Sequence, residues 1–434
     1  MSADAEDDGW FEGFVGSWFH VQIIARGGLT CNLQTPYNRG NATIATMKLF
    51  DTALRTYTEF DPEHVVSIYV CGITPYDSAH LGHIFTFMTY DLLQRRLEDL
   101  GHEVKLVRNV TDVDEPIYAK ARELGIDYRT LAVQETASFQ QTLTRMHFKS
   151  PFAQPLASDY IMQMASAVEQ LLNDGFAYRL EDDIYFDTKK HPDYQKFSGF
   201  SERLIMGLAR IRGGDPERVG KRQPLDFLLW KGITDVDDPA QWQTSLGSGR
   251  PGWHIECSVM SSELLDVPFD IHGGGTDLIF PHHSSEIAQS FGLGKATMAH
   301  TWLHVSPMLY DGEKMSKSLG NLVFARDLLE HHEAAVIRLA LMHYHHRVGG
   351  EWLPELLHEA TSLFVDVRGA TSRASLALAE TLLSDVRTAL DDDLNTLEVI
   401  DALHRFVAAS SGSSPEASAE VVVTQTLQLL GLCD

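Results

Sequence analysis

Residues 65–116, VVSIYVCGITPYDSAHLGHIFTFMTYDLLQRRLEDLGHEVKLVRNVTDVDEP, decide the fold. The opening run VVSIYV (65–70) is continuously β-branched and aromatic, as a parallel strand covered on both faces requires. It ends at Cys71, and the turn CGITPYDSA follows. The next segment places Ile84, Phe87, Met88, Leu92 and Leu93 on one side of a helix, with Gly101 suited to its C-terminal cap. EVKLVRNV (103–110) reads as a second strand, and Pro116 stands where another helix would begin. Strand, helix, strand is a βαβ unit. The expected fold is therefore α/β, with a doubly wound parallel sheet.

Outward from that unit, residues 47–126 read as the first half of a Rossmann catalytic domain and 127–250 as an insertion. Within the insertion, Ile161, Met164, Ala165, Val168 and Leu172 have helical spacing and stop before Gly175, and FAYRLEDDIYFD (176–187) suggests a hairpin. Residues 251–330 return to short apolar runs punctuated by glycine, which reads as the second half of the sheet. Residues 331–434 read as a C-terminal helical bundle, broken by serines at 410–414. Residues 1–46, acidic at first and then rich in aromatics, Gly and Asn, read as a poorly ordered or adventitious extension. Their first basic residue is Arg26, which does not suit a targeting peptide.

The chain has 434 residues, 44% of them hydrophobic and 22% charged, enough apolar material for sizeable cores and against wholesale disorder. No apolar run approaches the ~18–20 residues needed to span a bilayer. Four cysteines do not make a disulfide framework and suggest a reducing, cytoplasmic setting. With 35 basic against 60 acidic residues, the net charge is -25. Overall charge therefore offers no argument for a nucleic-acid partner, although a local basic stripe would suffice for one.

Three constellations carry chemistry. His80 and His83, in HLGH, sit where a strand-to-helix turn would present two imidazoles at a helix N-terminus, suited to a nucleotide's phosphates. Alone, so short a motif is more often a cap or chance. Lys314 and Lys317, in KMSKS, can neutralise charge as pyrophosphate leaves; alone, such a pentapeptide is usually a solvated loop. Cys71, Cys257, His282 and Glu286 make a chemically sensible zinc set, the last two lying four apart on one helix face. Each also has a plainer reading, since a buried cysteine is usually packing. Residues 214–221 are too long for a Walker A loop and continue with Arg222.

HLGH and KMSKS together resemble the signature motifs of class I aminoacyl-tRNA synthetases. From about Met47 to the C-terminus the motif order, CGIT, HLGH, NVTDVDEP, RGGDP, LDFLLWK, GWHIEC, HGGGTDLIFPHH, KMSKSLGN and DDDLNT, resembles two cysteine-activating families. One is cysteinyl-tRNA synthetase; the other is the mycothiol-pathway cysteine ligase, which joins cysteine to the amine of glucosaminyl-inositol. CGITPYDSAHLGH, NVTDVDEP and RGGDP look like the ligase. The chain after Ser318 is short, and residues 351–434 hold 4 Arg and no Lys against 14 Asp plus Glu, a poor surface for tRNA. Glu286 and His272 look like the synthetase, and Ile211 stands where the ligase has glutamate.

The resemblance implies one zinc per chain, held by Cys71, Cys257, His282 and Glu286, that takes the substrate thiolate and so discriminates against serine. It implies ATP as substrate with Mg²⁺, and charge stabilisation on the phosphates by His80, His83, Lys314 and Lys317. Gly275, Thr276 and Asp277 match a ribose-binding segment, and Met308 an adenine-pocket position. Thr74, Thr86, Asn109, Thr111 and Trp253 match positions around the adenylate, with Gly72, Ile73 and Val110 carried over beside them. The implied partners are L-cysteine, ATP and an amino sugar, with no nucleic acid and no membrane. The base for the second step stays open between Asp226 and Asp215. Two alternatives stand: charging of tRNA or another amine, and a non-catalytic cysteine or adenylate sensor. The runs His331–His332 and 343–346 read as solvated helix faces rather than a second metal site.

Overall fold

The computed structural model describes residues 46–76, 79–235, 237–315 and 319–434. Residues 1–45 lie outside it, as do Ser316, Lys317 and Ser318 of the lysine loop.

The first strand spans Val65–Ile73 and runs through Cys71, three residues beyond the apolar run. Its alternate side chains enter two different cores: Val66, Ile68 and Val70 in one, Tyr69 and Cys71 in the other. Burial on both faces is what the unbroken β-branched pattern demands. The strand pairs in parallel with Glu103–Val110 on one side and Phe269–Gly275 on the other, and Ala299–Val305 completes the order Ala299–Val305, Phe269–Gly275, Val65–Ile73, Glu103–Val110. The chain leaves the first strand in one direction and returns on its other side. A crevice opens at the carboxyl ends of adjacent strands where this order reverses, the usual ligand site of such sheets.

The connecting helix, Leu81–Asp99, is capped by His80, and Gly101 follows it in the left-handed region at φ +92°. Its Tyr90 hydroxyl donates to Leu303 O at 2.7 Å and accepts from Gly274 N at 2.6 Å, tying the helix to two strands. The 176–187 hairpin forms as Ala177–Leu180 and Asp183–Phe186, within a five-stranded antiparallel sheet. Four helices, Glu355–Thr371, Leu376–Asp391, Thr396–Ser410 and Ala417–Leu429, make the C-terminal bundle. Among the described residues, no helix is long and apolar enough to cross a membrane.

One buried ion pair fastens the bundle to the sheet's helix layer. Arg338 is fully buried; its guanidinium donates to Asp91 at 2.6 Å and to Leu430 O at 3.0 and 3.1 Å. Burial opposes ionisation of Asp91, but Arg338 and Arg95 hold its carboxyl below the ordinary carboxylate range. Stability from this pair is therefore complete above about pH 4, the unfolded value, and fades as pH falls through the lower folded value. Asp91→Asn leaves Arg338 buried and uncompensated. The expected cost is about 3–5 kcal/mol, read as a lower urea midpoint at unchanged slope and a flatter acid limb of stability.

Candidate active site

The strand ends supply the first wall. At Gly72 the pairing with Glu103–Val110 slips between Val70 and Ile73. The Gly72 amide donates to Asn109 Oδ1 at 2.8 Å, and a Cβ there would fall 1.6 Å from the Asn109 carbonyl oxygen. Only glycine allows this approach. Asn109 is held by its own amide donating to Thr111 Oγ1 at 3.0 Å, and Thr111 N donates to Ile73 O. Asn109, Val110 and Thr111 thus stand behind the wall and shape it, while Thr276 occupies the turn Thr276–Leu278.

A cavity of about 640 Å³ lies in the crevice, within the usual range for small-molecule sites. Cys71, Gly72, Ile73, Thr74, His80, His83, Thr86, Trp253, Gly275, Asp277, Met308 and Lys314 all line it. His80 Nδ1 accepts from Gly82 N at 3.1 Å, the helix cap, and its ring stacks on His83 with centroids 3.9 Å apart. Leu81 N donates to Val323 O, and His80 bridges to Phe324, which holds the segment after the lysine loop against HLGH. Lys314 pairs with Asp277 at 2.7 Å. Burial would raise the Asp277 carboxyl, but Lys314 and Arg212 hold it below the ordinary range.

Cys71, Cys257, His282 and Glu286 place one donor atom each within 4.8 Å of one another, all buried. Cys71 Sγ lies 3.8 Å from Cys257 Sγ and 4.0 Å from Glu286 Oε1, and His282 Nε2 lies 3.3 Å from Glu286 Oε1. His282 comes from the irregular segment Ile279–His283 and Glu286 from the helix Ser284–Gly292, yet the i, i+4 spacing still brings them together. Burial, then Cys257 and Glu286, pushes the Cys71 thiol well up, while burial holds His282 down at about 3, neutral as a metal ligand must be. His254 Nδ1 lies 3.0 Å from His282 Nδ1. With Nε2 left as a lone pair, His282 Nδ1 carries the proton and donates to His254, the arrangement that orients a ligating imidazole. The His282 ring also stacks on Trp253 at 4.2 Å.

Two histidines at this site escaped the sequence reading as donors. His283 Nε2 lies 3.4 Å from Cys71 Sγ, and its Nδ1 lies 2.7 Å from His304, which meets Thr52 Oγ1 at 2.8 Å. His272 Nε2 stands 2.8 Å from Glu286 Oε2, though out of hydrogen-bond alignment. Both belong to a second possible donor set with Cys71 and Glu286. The doubled histidine of FPHH and the histidine opening HGGG were the available signals. The first set, with two thiols, is the softer and better suited to zinc.

The expectation for the 343–346 run needs correction. His346 is buried and His345 nearly so, both facing Asp393 at 3.9 and 3.7 Å. His345 Nδ1 accepts from Arg347 N, so its proton sits on Nε2 toward Asp393, which Arg347 Nε also reaches. Arg347 ties His345 to Asp393, while neither ring nitrogen of His346 has a hydrogen-bond partner; the two histidines and Asp393 are thus not a solvated face but a further group of donors close enough to hold a metal ion. Asp226, one of the two candidate bases, is sealed: it accepts from Tyr178 Oη, Thr188 N, Thr188 Oγ1 and Gln223 N. Asp215 sits in a turn at φ +41°, where Lys221 donates to its carbonyl.

Residues 58–362 match the family described as tRNA synthetases class I (C) catalytic domain. The L-cysteine:1D-myo-inositol 2-amino-2-deoxy-alpha-D-glucopyranoside ligase of Thermobispora bispora is 39% identical over 375 residues, 86% of this chain and 92% of that protein. The ligase of the same name from Streptomyces griseus is 40% identical over 390 residues, 89% of this chain and 95% of that protein. The chain belongs to this ligase family. Solved structures of similar fold include Mycobacterium tuberculosis methionyl-tRNA synthetase with methionyl-adenylate, at TM-score 0.59 and 15% identity over 84% of this chain and 89% of that one. An Agrobacterium radiobacter leucyl-tRNA synthetase ternary complex aligns at TM-score 0.61 and 10% identity, over 86% and 84%. At such identities these structures speak for the fold alone. What this chain shares with these synthetases is the α/β fold, whose parallel sheet here displays Cys71 and Gly275.

Proposed function

We propose that the chain activates L-cysteine with ATP as the cysteinyl adenylate. It then passes the cysteinyl group to the amine of glucosaminyl-inositol, giving an amide, AMP and pyrophosphate. The observation that carries this reading is one cavity that reaches from Cys71, beside Cys257, to His80, His83 and Lys314. A thiol-binding end and a phosphate-binding end in one crevice suit a cysteine whose carboxylate must meet the α-phosphorus of ATP. The names of the relatives support the acceptor.

In this reading Cys71, Cys257, His282 and Glu286 hold zinc, which when bound supplies a Lewis acid that takes the thiolate and disfavours a hydroxyl. Trp253 and Thr74 border the adenylate, while Gly275 and Asp277 serve the ribose and Met308 the adenine. His80, His83, Lys314 and Lys317 counter phosphate charge, with Mg²⁺ accompanying ATP. We assign residues 47–126 and 251–330 to the two halves of the catalytic domain, 127–250 to the insertion and 331–434 to the bundle. The partners are small molecules, with no nucleic acid, in a cytoplasmic setting.

The test is a paired acceptor assay with cysteine and ATP, offering glucosaminyl-inositol or tRNA and following AMP release and product mass. Amide from the amino sugar without charged tRNA is expected. Charged tRNA alone would support the second reading, cysteinyl-tRNA synthesis, whose sequence pattern Glu286 and His272 resemble. No product and no cysteine-dependent pyrophosphate exchange would point to a sensor.

A further inference from the structure

We propose that Asp114 is the base of the second step, taking a proton from the acceptor's ammonium before its nitrogen attacks the adenylate; this rests on the ligase reading above. An amino-sugar nitrogen that arrives protonated has no lone pair to attack with, so the site must supply a proton acceptor. Asp277 lines the cavity but serves the ribose in the reading above, and Arg212 as well as Lys314 holds its carboxyl low, which makes it a poor proton acceptor. Asp226 is saturated with donors away from it.

Asp114 is placed differently. It caps the helix Glu115–Leu124, with Oδ1 accepting the Glu115 amide at 2.9 Å. Its Oδ2 accepts only a long bond from the Thr74 hydroxyl, at 3.3 Å, and Thr74 lines the cavity next to Gly72 and Ile73. One oxygen is thus fixed by the cap, and the other lies one exchangeable hydroxyl from the adenylate pocket. Glu115 faces Asp114 from its own segment, Glu256 from the helix Trp253–Leu264, and Arg250 from the strand Gly247–Pro251. Arg250 is itself engaged, donating to Glu115 at 2.7 Å and Asp238 at 3.2 Å. Glu256 is fully buried, and neither of its carboxyl oxygens has a hydrogen-bond partner. Burial pushes the Glu256 carboxyl well up toward its neutral form and Glu115 has Arg250 as its cation, so Asp114 is the carboxylate of this group that faces Thr74 and the pocket. Burial first, and the charge of Glu115 next, push the Asp114 carboxyl up to about 6, against the pull of the Glu115 amide, Thr74 and Arg250. Such a group is ionised at neutral pH and still basic enough to accept a proton.

The step balances without another reactant. One ammonium proton passes to Asp114 Oδ2, and the freed lone pair forms the C–N bond at the adenylate carbonyl carbon. The carbonyl carbon–phosphate oxygen bond then breaks, and AMP leaves with that electron pair. The second N–H proton, made acidic by the new bond, goes to solvent.

The experiment compares full-length wild type with Asp114→Asn, which keeps a capping side chain. It reads cysteine-dependent pyrophosphate exchange, and single-turnover amide formation from preformed adenylate and glucosaminyl-inositol across pH. Exchange should stay within a few fold, while amide formation slows by about 100-fold or more. The acid limb of the wild-type transfer profile, expected near pH 6, should give way in the variant to one that follows deprotonation of the amine itself at higher pH. Hydroxylamine, largely unprotonated at neutral pH, should give the hydroxamate equally well with both proteins. Equal transfer to the amino sugar by both proteins would overturn the proposal. So would loss of exchange in a variant that melts like wild type, which would put Asp114 on cysteine instead. A flat wild-type transfer profile between about pH 5 and 7 overturns it however the variant folds. A wild type that exchanges but makes no amide refutes the ligase reading and this proposal together; an unaffected variant beside an active wild type removes Asp114 alone.

Discussion

Cys257→Ala is expected to leave the purified protein without its zinc and to slow cysteine-dependent pyrophosphate exchange by about 100-fold or more. The estimate takes the upper end of what removing even a supporting residue costs a metal site, since Cys257 would be a direct ligand. The physical case is the buried donor set: Cys257 Sγ lies 3.8 Å from Cys71 Sγ, at the edge of the cavity that Cys71 lines. Removing one thiol leaves too few soft donors to hold the ion and no partner for the substrate's thiolate. Metal analysis of protein purified without chelator, about one zinc in wild type against none in the variant, is the measurement. A variant that kept both its zinc and full exchange would show that the other donor set, through His272 and His283, binds the ion.

Lys314→Ala should lower the rate of adenylate formation by about 10²–10³-fold, the usual effect of losing one charge-stabilising donor, with little change in the KM for cysteine. Lys314 lines the phosphate end of the cavity, and its side chain is half-exposed at the end of the short strand Glu313–Lys314. In this structure its ammonium rests on Asp277, so it must exchange that partner for phosphate when ATP binds. Pyrophosphate exchange at saturating cysteine reads the effect. An unchanged rate would assign the role to the other residues of the pentapeptide.

Much of the site was legible because its parts sit at fixed offsets from strands with strong patterns. The apolar run at 65–70 announces a two-faced parallel strand, so Cys71 had to stand at its carboxyl end, and His80 and His83 had to follow at the next helix start. His282 and Glu286 were readable as a pair because four residues return a helix to the same face. The placement of His345 and His346 was not readable, since it depends on Asp393, which reaches them from the turn between the second and third bundle helices. Nor was the role of Asp226: its sequence neighbourhood says acid, and only the loops around Tyr178 and Thr188 show that its lone pairs are spent.

By itself, the order of residues determined the parallel sheet, the helix that His80 caps and the family of the chain. Those features come from short-range periodicity and from motifs whose members are neighbours along the backbone. Tertiary structure alone decided which carboxylates are available. Asp114, Asp226 and Asp277 have the same side chain, and what separates them is whether Thr74, four donors or Lys314 stands opposite. Availability depends on burial and on partners distant in sequence, because desolvation and nearby charge set what a carboxylate can accept.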